Sequence, residues 1–594
     1  MVGSIIGIDF GTTNSLCAWM DGDRPTLLRN RRGSALTPSA VAASAKGEIF
    51  VGESAKNQAL VNPENTIVGI KRHIGSGGYL SMGGRSWRPE ELAAMILSSL
   101  RQDAEWQLGT EIHKAVVTVP ANFSDRERRA VVEAGRLAEL EVLRLVNEPT
   151  AAAVARAWTE STSALQSPDK SIVLVYDFGG GTFDVTLLEQ RGDECIVLAS
   201  RGDGHLGGTD LDRELRRMAA AAFLRDYGLD VEADRFLAQQ LAENVERAKI
   251  ELSEREESAI GIPFAVAGGA KGGAIVHPLF VVTRRALEEV AAPYVERSLE
   301  LTARALADAG LGAGEVDSLV LSGGTSRMPI IRRLLSERFG LRPEGGINPE
   351  EIVALGAAAW AAVCEGSGRL RVRDVVARSY GVEIDGGLFV PLIRKNSPVP
   401  ASRSRVFTTV SDGQDSVEIH VLQGESRLAA EDLSLGRFLL SGIREAGRGQ
   451  PRIQVDFGID ESDMLRVAAV DLDTGAEQAI SIGDLGENSS PESPAELRSK
   501  IRLLSGRIAE LREGLSLERG LEAELDGLDG RARSLAGGAE KGEGELRLLK
   551  AELEGLVGEL LARRAERRDA ESSAPRLRPA GLAGPEAQDR EPRG

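Results

Sequence analysis

The sequence has few of the residues that form disulfides, zinc sites or membrane spans. Of its 594 residues, three are cysteine and five are histidine. Cys17, Cys195 and Cys364 form no C-x-x-C pair, so neither a disulfide framework nor a zinc site fits. No apolar run reaches the roughly 18–20 residues of a membrane span. No charged leader with a long apolar run opens the chain. We therefore expect reduced thiols and a cytoplasmic location.

Positive charge is also scarce. Lysine and arginine total 72 against 90 aspartate and glutamate residues, which gives a net charge of -18. Neutralising phosphates requires clustered basic side chains, so we expect neither nucleic acid nor a membrane surface as a partner. The chain length and its 42% apolar content predict several compact units.

The pattern along the chain predicts five parts. Residues 1–365 alternate apolar runs, as at 4–9, 114–119, 171–177 and 318–321, with helical patterns, which indicates an α/β domain with a buried sheet. Residues 366–375 are rich in glycine and arginine and predict a linker. Residues 376–486 carry short alternating strands, at 406–410, 417–422, 453–457 and 465–470, which predict an antiparallel β-domain.

The fourth part is predicted to be helical and the fifth to be disordered. Residues 487–568 carry leucine and isoleucine at heptad spacing on three short amphipathic helices. Each helix covers only about two heptads, which favours a small bundle over an extended coiled coil. This segment could serve as a lid or as a surface for self-association. Residues 569–594 are rich in proline, alanine, glycine and charge, and are expected to be disordered.

The common nucleotide-binding signatures are absent, but another sequence motif occurs twice. Residues 5–14 read IIGIDFGTTN and residues 173–184 read VLVYDFGGGTFD. Each is an apolar strand that ends in aspartate and runs into a Gly/Thr turn. Glycines let backbone N–H groups approach phosphate oxygens, and the aspartate can hold Mg²⁺ through its water molecules. Two such turns facing each other would hold a polyphosphate from both sides.

A third glycine turn follows another strand. Residues 319–329 read LVLSGGTSRMP, a strand, a double glycine and then a helix with proline in its first turn. Glycine at this point would let the backbone approach a purine ring and ribose closely.

These turns and several other segments closely resemble the heat shock protein 70 (DnaK) family, within the actin/hexokinase/heat-shock superfamily. The matching segments, in family order, are IGIDFGTTNS, IVGIKRHIG, VVTVPANFSD, VLRLVNEPTAAA, VYDFGGGTFDVTLLE, GDGHLGGTDLD, ERAKIELS, LVLSGGTSRMP and INPEEIVALGAAA. The β-domain matches through RKNSPVPASRSRVFTTVSDGQDSVEIHVLQGE and LSLGRF. The resemblance implies an ATP-dependent chaperone with a two-lobed, actin-like (ribonuclease H-like) ATPase, an antiparallel β-sandwich that binds peptides, and a helical C-terminal segment.

The resemblance also implies catalytic and metal-binding roles. Asp9 and Asp177 would hold Mg²⁺, with K⁺ as a further candidate ion. Lys71 would place the attacking water, a role that depends wholly on the motif because a lone lysine is usually a solvated surface charge. Glu148, Thr182 and Asp184 would act on the same network of water and metal.

Nucleotide binding is assigned to the glycine turns and to residues beside them. One helix, containing ERAKIELS, would contact adenine and ribose from a single face. Glu350 stands where the family usually has aspartate, which keeps the charge. The residues implied to bind ATP or ADP are Gly11, Thr12, Thr13, Gly179, Gly180, Gly181, Gly207, Gly208, Glu246, Lys249, Ser253, Gly323, Gly324, Arg327 and Glu350.

The resemblance places a peptide groove in residues 376–486. Five apolar residues would line it: Val382, Phe407, Val410, Val417 and Ile419. The arch over the peptide carries Asp385 where the family has methionine. Because a desolvated carboxylate is costly, we expect peptide binding that is weaker, or that differs in selectivity and admits a basic residue.

The linker departs from the family as well. Residues 370–374 read LRVRD, with arginine at two positions where the family has leucine. Arginine keeps its head in water, so we expect weaker docking of this linker and altered coupling. Arg144, Asp308 and Asp374 match the residues by which the family communicates with its linker and with J-proteins. A J-domain co-chaperone is therefore an expected partner, and a nucleotide exchange factor is a further candidate.

Three other functions share parts of this pattern. A sugar or glycerol kinase would have the same ATPase core but no β-domain. A filament-forming actin relative would have no peptide domain and would polymerise with ATP. A non-hydrolysing peptide scaffold is disfavoured because Asp9, Lys71, Glu148, Asp177 and Asp184 are all present.

Overall fold

The fold is taken from a computed structural model of the chain. It describes residues 5–161, 170–267, 274–345, 348–367 and 369–481. Beyond these it describes single positions and short runs, which are 501, 505, 508, 509, 512, 522, 525–528, 530, 531, 549, 552 and 553. We call residues 5–365 the N-terminal region and residues 376–481 the β region.

Two mixed sheets of similar topology form the centre of the N-terminal region. The first has the order Glu141–Asn147, Lys114–Val119, Ile5–Asp9, Asn14–Asp21, Arg24–Leu28, with Thr37–Pro38 paired to Asn14–Asp21. The second has the order Ser318–Ser322, Ser171–Phe178, Phe183–Arg191, Glu194–Asp203, Arg371–Arg373. In each sheet the strand before a glycine turn runs parallel to one neighbour and antiparallel to the strand after the turn. The predicted α/β architecture is confirmed.

Helices and smaller sheets surround these two sheets. The helices are Glu53–Gln58, Pro89–Leu108, Asp125–Leu137, Glu148–Ser161, Gly208–Tyr227, Arg235–Glu251, Arg284–Ala309, Pro329–Phe339 and Ile352–Cys364, with 3-10 turns at Pro63–Asn65, Ile70–His73, Val231–Ala233, Ala313–Glu315 and Gly324–Arg327. The smaller sheets pair Ala40–Ala43 with Ile49–Val51 and Thr66–Val68, Leu80–Met82 with Arg85–Trp87, Glu257–Gly261 with Leu279–Thr283, and Ala265–Ala267 with Ala274–Val276. No described helix is both long enough and apolar enough to span a bilayer.

Helices Glu148–Ser161 and Ile352–Cys364 join the two sheets. They pack against each other so closely that a Cβ on Gly356 would lie 1.8 Å from the Ala151 carbonyl oxygen. A Cβ on Gly7, in the first sheet, would lie 2.2 Å from the Ala358 amide nitrogen. Both contacts require glycine, because no side chain fits at such distances. This tight junction fixes the sheets relative to each other and so positions the turns at their edges.

The β region contains two four-stranded antiparallel sheets. The first has the order Leu388–Ile393, Tyr380–Ile384, Ser416–Gln423, Leu433–Ser441, and the second has the order Ala401–Phe407, Ile453–Ile459, Leu465–Asp471, Glu477–Ser481. A 3-10 turn lies at Ala429–Glu431. Side chains from both sheets, such as Val382 and Val455, share one buried apolar cluster. The predicted antiparallel strands are confirmed, except that residues 408–410 lie in a loop after Ala401–Phe407.

The described positions after residue 481 agree with the predicted helices. All of them are helical, and the heptad positions among them are buried, namely Ile501, Ile508, Leu525, Leu528, Leu549 and Leu553. Arg512 pairs with Asp526 at 2.6 Å, and Arg531 pairs with Glu552 at 2.7 Å. The rest of the predicted helical segment and the tail 569–594 lie outside the described residues.

The linker is docked on the second central sheet, and its expected weak docking stays a prediction. Arg371–Arg373 forms a parallel edge strand on Glu194–Asp203, and Leu370 is only 2% exposed within the apolar cluster beneath it. Arg371 pairs with Asp193 at 2.9 Å, and Arg373 pairs with Glu194 at 2.8 Å. The arginines keep their heads in water as expected, but each finds a carboxylate at the sheet edge.

The N-terminal and β regions also contact each other directly. Asp125 accepts a hydrogen bond from the Leu465 amide at 2.6 Å, and Arg129 donates to the Leu465 carbonyl at 2.6 Å. Buried Arg128 lies 3.4 Å from Asp463. Burial raises the pKa of Asp463 to about 7; Arg128 lowers it, and the neighbouring carboxylates Asp374, Asp125 and Asp460 raise it.

The residues predicted to communicate between domains lie at this interface. Arg144 pairs with Glu461 at 2.8 Å, and Asp308 pairs with Lys395 at 2.7 Å. Asp374, in the linker, accepts hydrogen bonds from Asn147 at 3.1 Å and Thr150 at 2.9 Å.

We predict that Leu370, rather than the arginine pairs, holds the linker strand. Leu370→Ala should cost about 2 kcal/mol or more through lost apolar burial. The Arg371 and Arg373 pairs are exposed and should contribute little. Hydrogen exchange of residues 371–373 should therefore accelerate more in Leu370→Ala than in the double variant Arg371→Ala/Arg373→Ala. A larger effect of the double variant would show that the ion pairs dominate.

We also predict that contact between the two regions weakens as pH rises. The pKa of Asp463 is about 7 in the docked structure, above its ordinary value near 4, so docking is favoured while Asp463 is protonated. That contribution is complete at low pH and is lost as pH rises through about 7. Burial also raises the pKa values of Asp125 and Asp374, in the same direction.

Small-angle scattering at pH 6 and pH 8 measures this effect. The wild-type radius of gyration should increase at pH 8, and Asp463→Asn should show less than half of that increase. Asparagine suits the positive φ of 59° at this position, so the turn is preserved. An identical wild-type radius at both values of pH would contradict the prediction.

Candidate nucleotide-binding cleft

A cleft of about 350 Å³ lies between the edges of the two central sheets. Its walls come from both halves of the N-terminal region and contain most of the predicted site residues. Those residues are Asp9, Gly11, Thr12, Thr13, Lys71, Glu148, Asp177, Gly179, Gly180, Thr182, Glu246, Lys249, Ser253, Gly323, Gly324, Arg327 and Glu350.

The two Gly/Thr turns meet across this cleft. A Cβ added to Gly180 would lie 2.4 Å from the Thr13 hydroxyl, and one added to Gly181 would lie 2.8 Å from the Thr12 hydroxyl. The predicted pair of facing turns is therefore present. Backbone N–H groups and threonine hydroxyls can reach a ligand between them from both sides.

The third glycine turn closes the cleft beside the second. Gly323 has φ +79°, and a Cβ there would lie 2.5 Å from the Phe178 carbonyl. The position therefore requires glycine both for its backbone conformation and for the lack of space. The Thr325 hydroxyl donates to the Gly179 carbonyl at 2.9 Å. This contact fixes the third turn to the second at the wall of the cleft.

Buried charge is concentrated at the floor of the cleft. Lys71 and Glu148 form an ion pair, with exposures of 4% and 8%. Burial raises the pKa of Asp9 to about 7; Glu148 raises it further, and Lys71 lowers it. Burial, Glu148 and Asp9 likewise raise the pKa of Asp177 well above its usual value.

These charges fit a magnesium-bound polyphosphate. Glu148, Asp177 and Asp184 are buried, and Asp9 is half-buried beside them. Lys71 is the buried cation that faces these carboxylates, so added positive charge would be strongly favoured. Among the described residues, no three carboxylate, imidazole or thiol groups converge as a direct metal cluster. This arrangement suits Mg²⁺, which retains several waters and is held by few protein ligands.

The predicted adenine side is assembled with one difference. Glu246 and Lys249 lie on helix Arg235–Glu251, but Ser253 follows the helix end and reaches the cleft from a turn. Lys249 pairs with Asp212 at 2.7 Å. On the opposite wall, Arg327 pairs with Glu350 at 3.0 Å.

Four predicted residues do not line the cleft. Gly207 and Gly208 lie behind the second turn, where the Gly208 amide donates to the Gly179 carbonyl at 3.0 Å. Gly181 packs against Thr12. Asp184 lines a separate small cavity toward the β region. The glycines therefore shape the turn rather than the wall.

Several wall residues were not predicted from the sequence. Asn14, Ser322, Thr325 and Met328 lie inside or beside the motifs, as do Leu16, Ile250, Glu254 and Pro349, so adjacency was an available signal. Val353 also lies inside a motif, INPEEIVALGAAA, whereas Leu36 comes from a segment without one and had no such signal.

A second candidate site lies in the β region. A groove of about 630 Å³ contains all six predicted peptide-site residues, which are Val382, Asp385, Phe407, Val410, Val417 and Ile419. Asp385 is exposed in a turn, so its carboxylate is hydrated here rather than desolvated. The other acidic residues of the wall are Glu383, Asp412, Asp415, Glu418 and Glu445, and the arginines are Arg405 and Arg437. The groove is thus apolar at its floor and predominantly acidic around it.

A comparison with protein families identifies the family to which the chain belongs. A family model described as "Hsp70 protein" matches residues 5–80 and 79–502, which is most of the chain. The matched ranges contain all three glycine turns, the linker strand and both sheets of the β region. The chain belongs to the Hsp70 family, whose members are chaperones and ATPases that bind ATP or ADP with Mg²⁺.

Proposed function

We propose that this protein is an ATP-dependent chaperone that binds extended polypeptide segments in the β region and changes its affinity for them through ATP hydrolysis. The single observation that supports this most is the pairing of two Gly/Thr turns above a buried carboxylate–lysine cluster. The groove of the β region supports the peptide-binding part of the proposal, and the docked linker joins it to the N-terminal region.

The cleft residues divide the work of hydrolysis. Threonine hydroxyls and backbone amides of the two turns would bind the phosphates, and the Gly323 turn would receive the base. Asp9 and Asp177 would hold Mg²⁺ through its waters, and the ion would screen the phosphate charge during transfer. Glu148 holds the Lys71 ammonium in place, so that it can orient the attacking water and stabilise charge on the γ-phosphate.

A direct chain of contacts links this centre to the linker. Asp374 accepts hydrogen bonds from Asn147 and Thr150, which flank Glu148 at the start of helix Glu148–Ser161. Glu148 in turn pairs with Lys71. We infer that release of Asp374 shifts this helix start and so couples linker position to the hydrolysis rate.

The groove has the composition expected of an extended-peptide site. Strand edges and loops would supply backbone hydrogen bonds, while Val382, Phe407 and Ile419 would receive an apolar side chain. Two four-stranded sheets around one core support the β-sandwich interpretation. The helical segment after residue 486 would act as a lid over the groove.

Partners and location are part of the same proposal. Arg144 and Asp308 each pair with a residue of the β region, and Asp374 holds the linker, which supports a J-domain co-chaperone that acts on linker docking. The proposal also includes a nucleotide exchange factor as a partner, a cytoplasmic location and a role in assisting protein folding.

Removing Lys71 should separate binding from hydrolysis. We expect Lys71→Ala to lower the single-turnover ATP hydrolysis rate at least about 100-fold, because it removes the charge that stabilises the transition state. ATP affinity, measured by calorimetry with Mg²⁺, should change much less, since both glycine turns remain. Exposed Lys46→Ala is the matched control and should behave like wild type. Equal hydrolysis by Lys71→Ala and wild type would refute the proposed chemistry.

Asp385 should set peptide selectivity. We expect wild type to favour peptides that carry a lysine or arginine next to an apolar residue, because Asp385 adds charge to an acidic wall. Asp385→Met should shift preference toward purely apolar peptides by roughly three- to tenfold in Kd. Fluorescence anisotropy with matched peptides measures this, and Asp473→Met, away from the groove wall, is the control. Unchanged ranking of the peptides would exclude a role for Asp385.

A further inference from the structure

A small cavity lies behind the cleft, where the two regions meet. Its volume is about 140 Å³, and both regions contribute to its walls. From the N-terminal region come Asn122, Asp184, Ser200, Arg201, Gly202 and Leu301, and from the β region come Ala377, Arg378, Lys395 and Glu425. The cavity thus brings side chains of the peptide-binding half next to Asp184, a predicted catalytic residue.

Asp184 turns toward this cavity without a partner. Its side chain is 1% exposed, yet neither carboxylate oxygen makes a hydrogen bond within the described part of the chain. The Asn122 amide nitrogen beside it is likewise unpartnered among those residues. A Cβ on Gly202 would lie 2.1 Å from Asp184 Oδ1, so glycine is what leaves room for the carboxylate. A buried, unpaired carboxylate is costly unless a charge or water compensates it.

Arg378 is the cation that matches this carboxylate. The other charged groups of the wall already have partners: Arg201 and Lys395 donate to Asp308, and Glu425 accepts from the Ser379 amide. Arg378 is half-buried and forms no hydrogen bond or ion pair within the described ranges. Its positive charge nevertheless acts on Asp184 across the cavity.

We propose that Arg378 is a positioning residue that holds Asp184, through water in the shared cavity, away from the nucleotide cleft while the two regions are docked. This rests on the proposed ATPase function. The positioning role of Arg378 accounts for the absence of Asp184 from the cleft wall, although both neighbouring Gly/Thr turns are in place. The cavity is polar and large enough for ordered water to bridge the two groups. When the β region leaves, Arg378 leaves with it, and Asp184 is released toward the cleft.

The test is single-turnover hydrolysis by the full chain with ATP and Mg²⁺, without peptide. Arg378→Gln should raise the rate constant about three- to tenfold, the effect of losing one water-mediated, charge-assisted contact. ATP affinity should stay within about twofold, because no cleft residue changes. Arg378→Lys keeps the charge and should remain near wild type. Exposed Arg394→Gln, in the same region but outside the cavity wall, is the matched control.

A double-mutant cycle separates positioning from simple undocking. In an Asp184→Asn background, Arg378→Gln should no longer raise the rate, since the carboxylate that it frees is gone. Scattering of Arg378→Gln should show the docked radius of gyration. An unchanged or lower rate in Arg378→Gln, or a rise that persists with Asp184→Asn, overturns the inference. If wild type itself fails to hydrolyse ATP, the proposed function fails and the inference fails with it.

Discussion

The buried pair of Lys71 and Glu148 is the interaction on which the rest of the molecule depends. It places one buried ammonium among several carboxylates, and a lone buried charge would be far more costly than this pair. The pair does not neutralise the floor, because Asp9 and Asp177 remain with raised pKa values. The cleft therefore carries uncompensated negative charge until positive charge arrives with the ligand. Nucleotide bound with its cation would stabilise the cleft for this reason.

Keeping that floor buried requires main-chain segments to approach more closely than side chains allow. Gly7 removes the side chain where the first sheet meets helix Ile352–Cys364, and Gly356 does so where the two joining helices meet. Gly180 and Gly323 do the same where the turns meet. Each contact is backbone against backbone or hydroxyl, so the geometry is set by main-chain atoms. A cleft fixed in this way is preorganised for phosphate, and small shifts of the joining helices change it directly.

This reliance on contiguous turns explains which parts could be predicted from the sequence. Asp9, Thr12, Asp177 and Thr182 lie in strand–turn segments whose pattern is local, so their place could be predicted. Leu36 reaches the cleft only through tertiary packing, and no local pattern marks it. The contacts of the linker could not be predicted for the same reason: the partner of Arg371, Asp193, lies 178 residues away in sequence.

The linker and the rear cavity together show how one docking event can reach two catalytic groups. Asp374 acts on the Glu148 helix start from one side, and Arg378, four residues further along the chain, faces Asp184 from the other. Leu370 anchors the same segment in the apolar core. Because Asp374 and Arg378 lie four residues apart on one short stretch of backbone, a single movement of that stretch would change both contacts. Coupling therefore needs no long pathway, since residues 374–378, where the linker enters the β region, lie next to both ends of the catalytic centre.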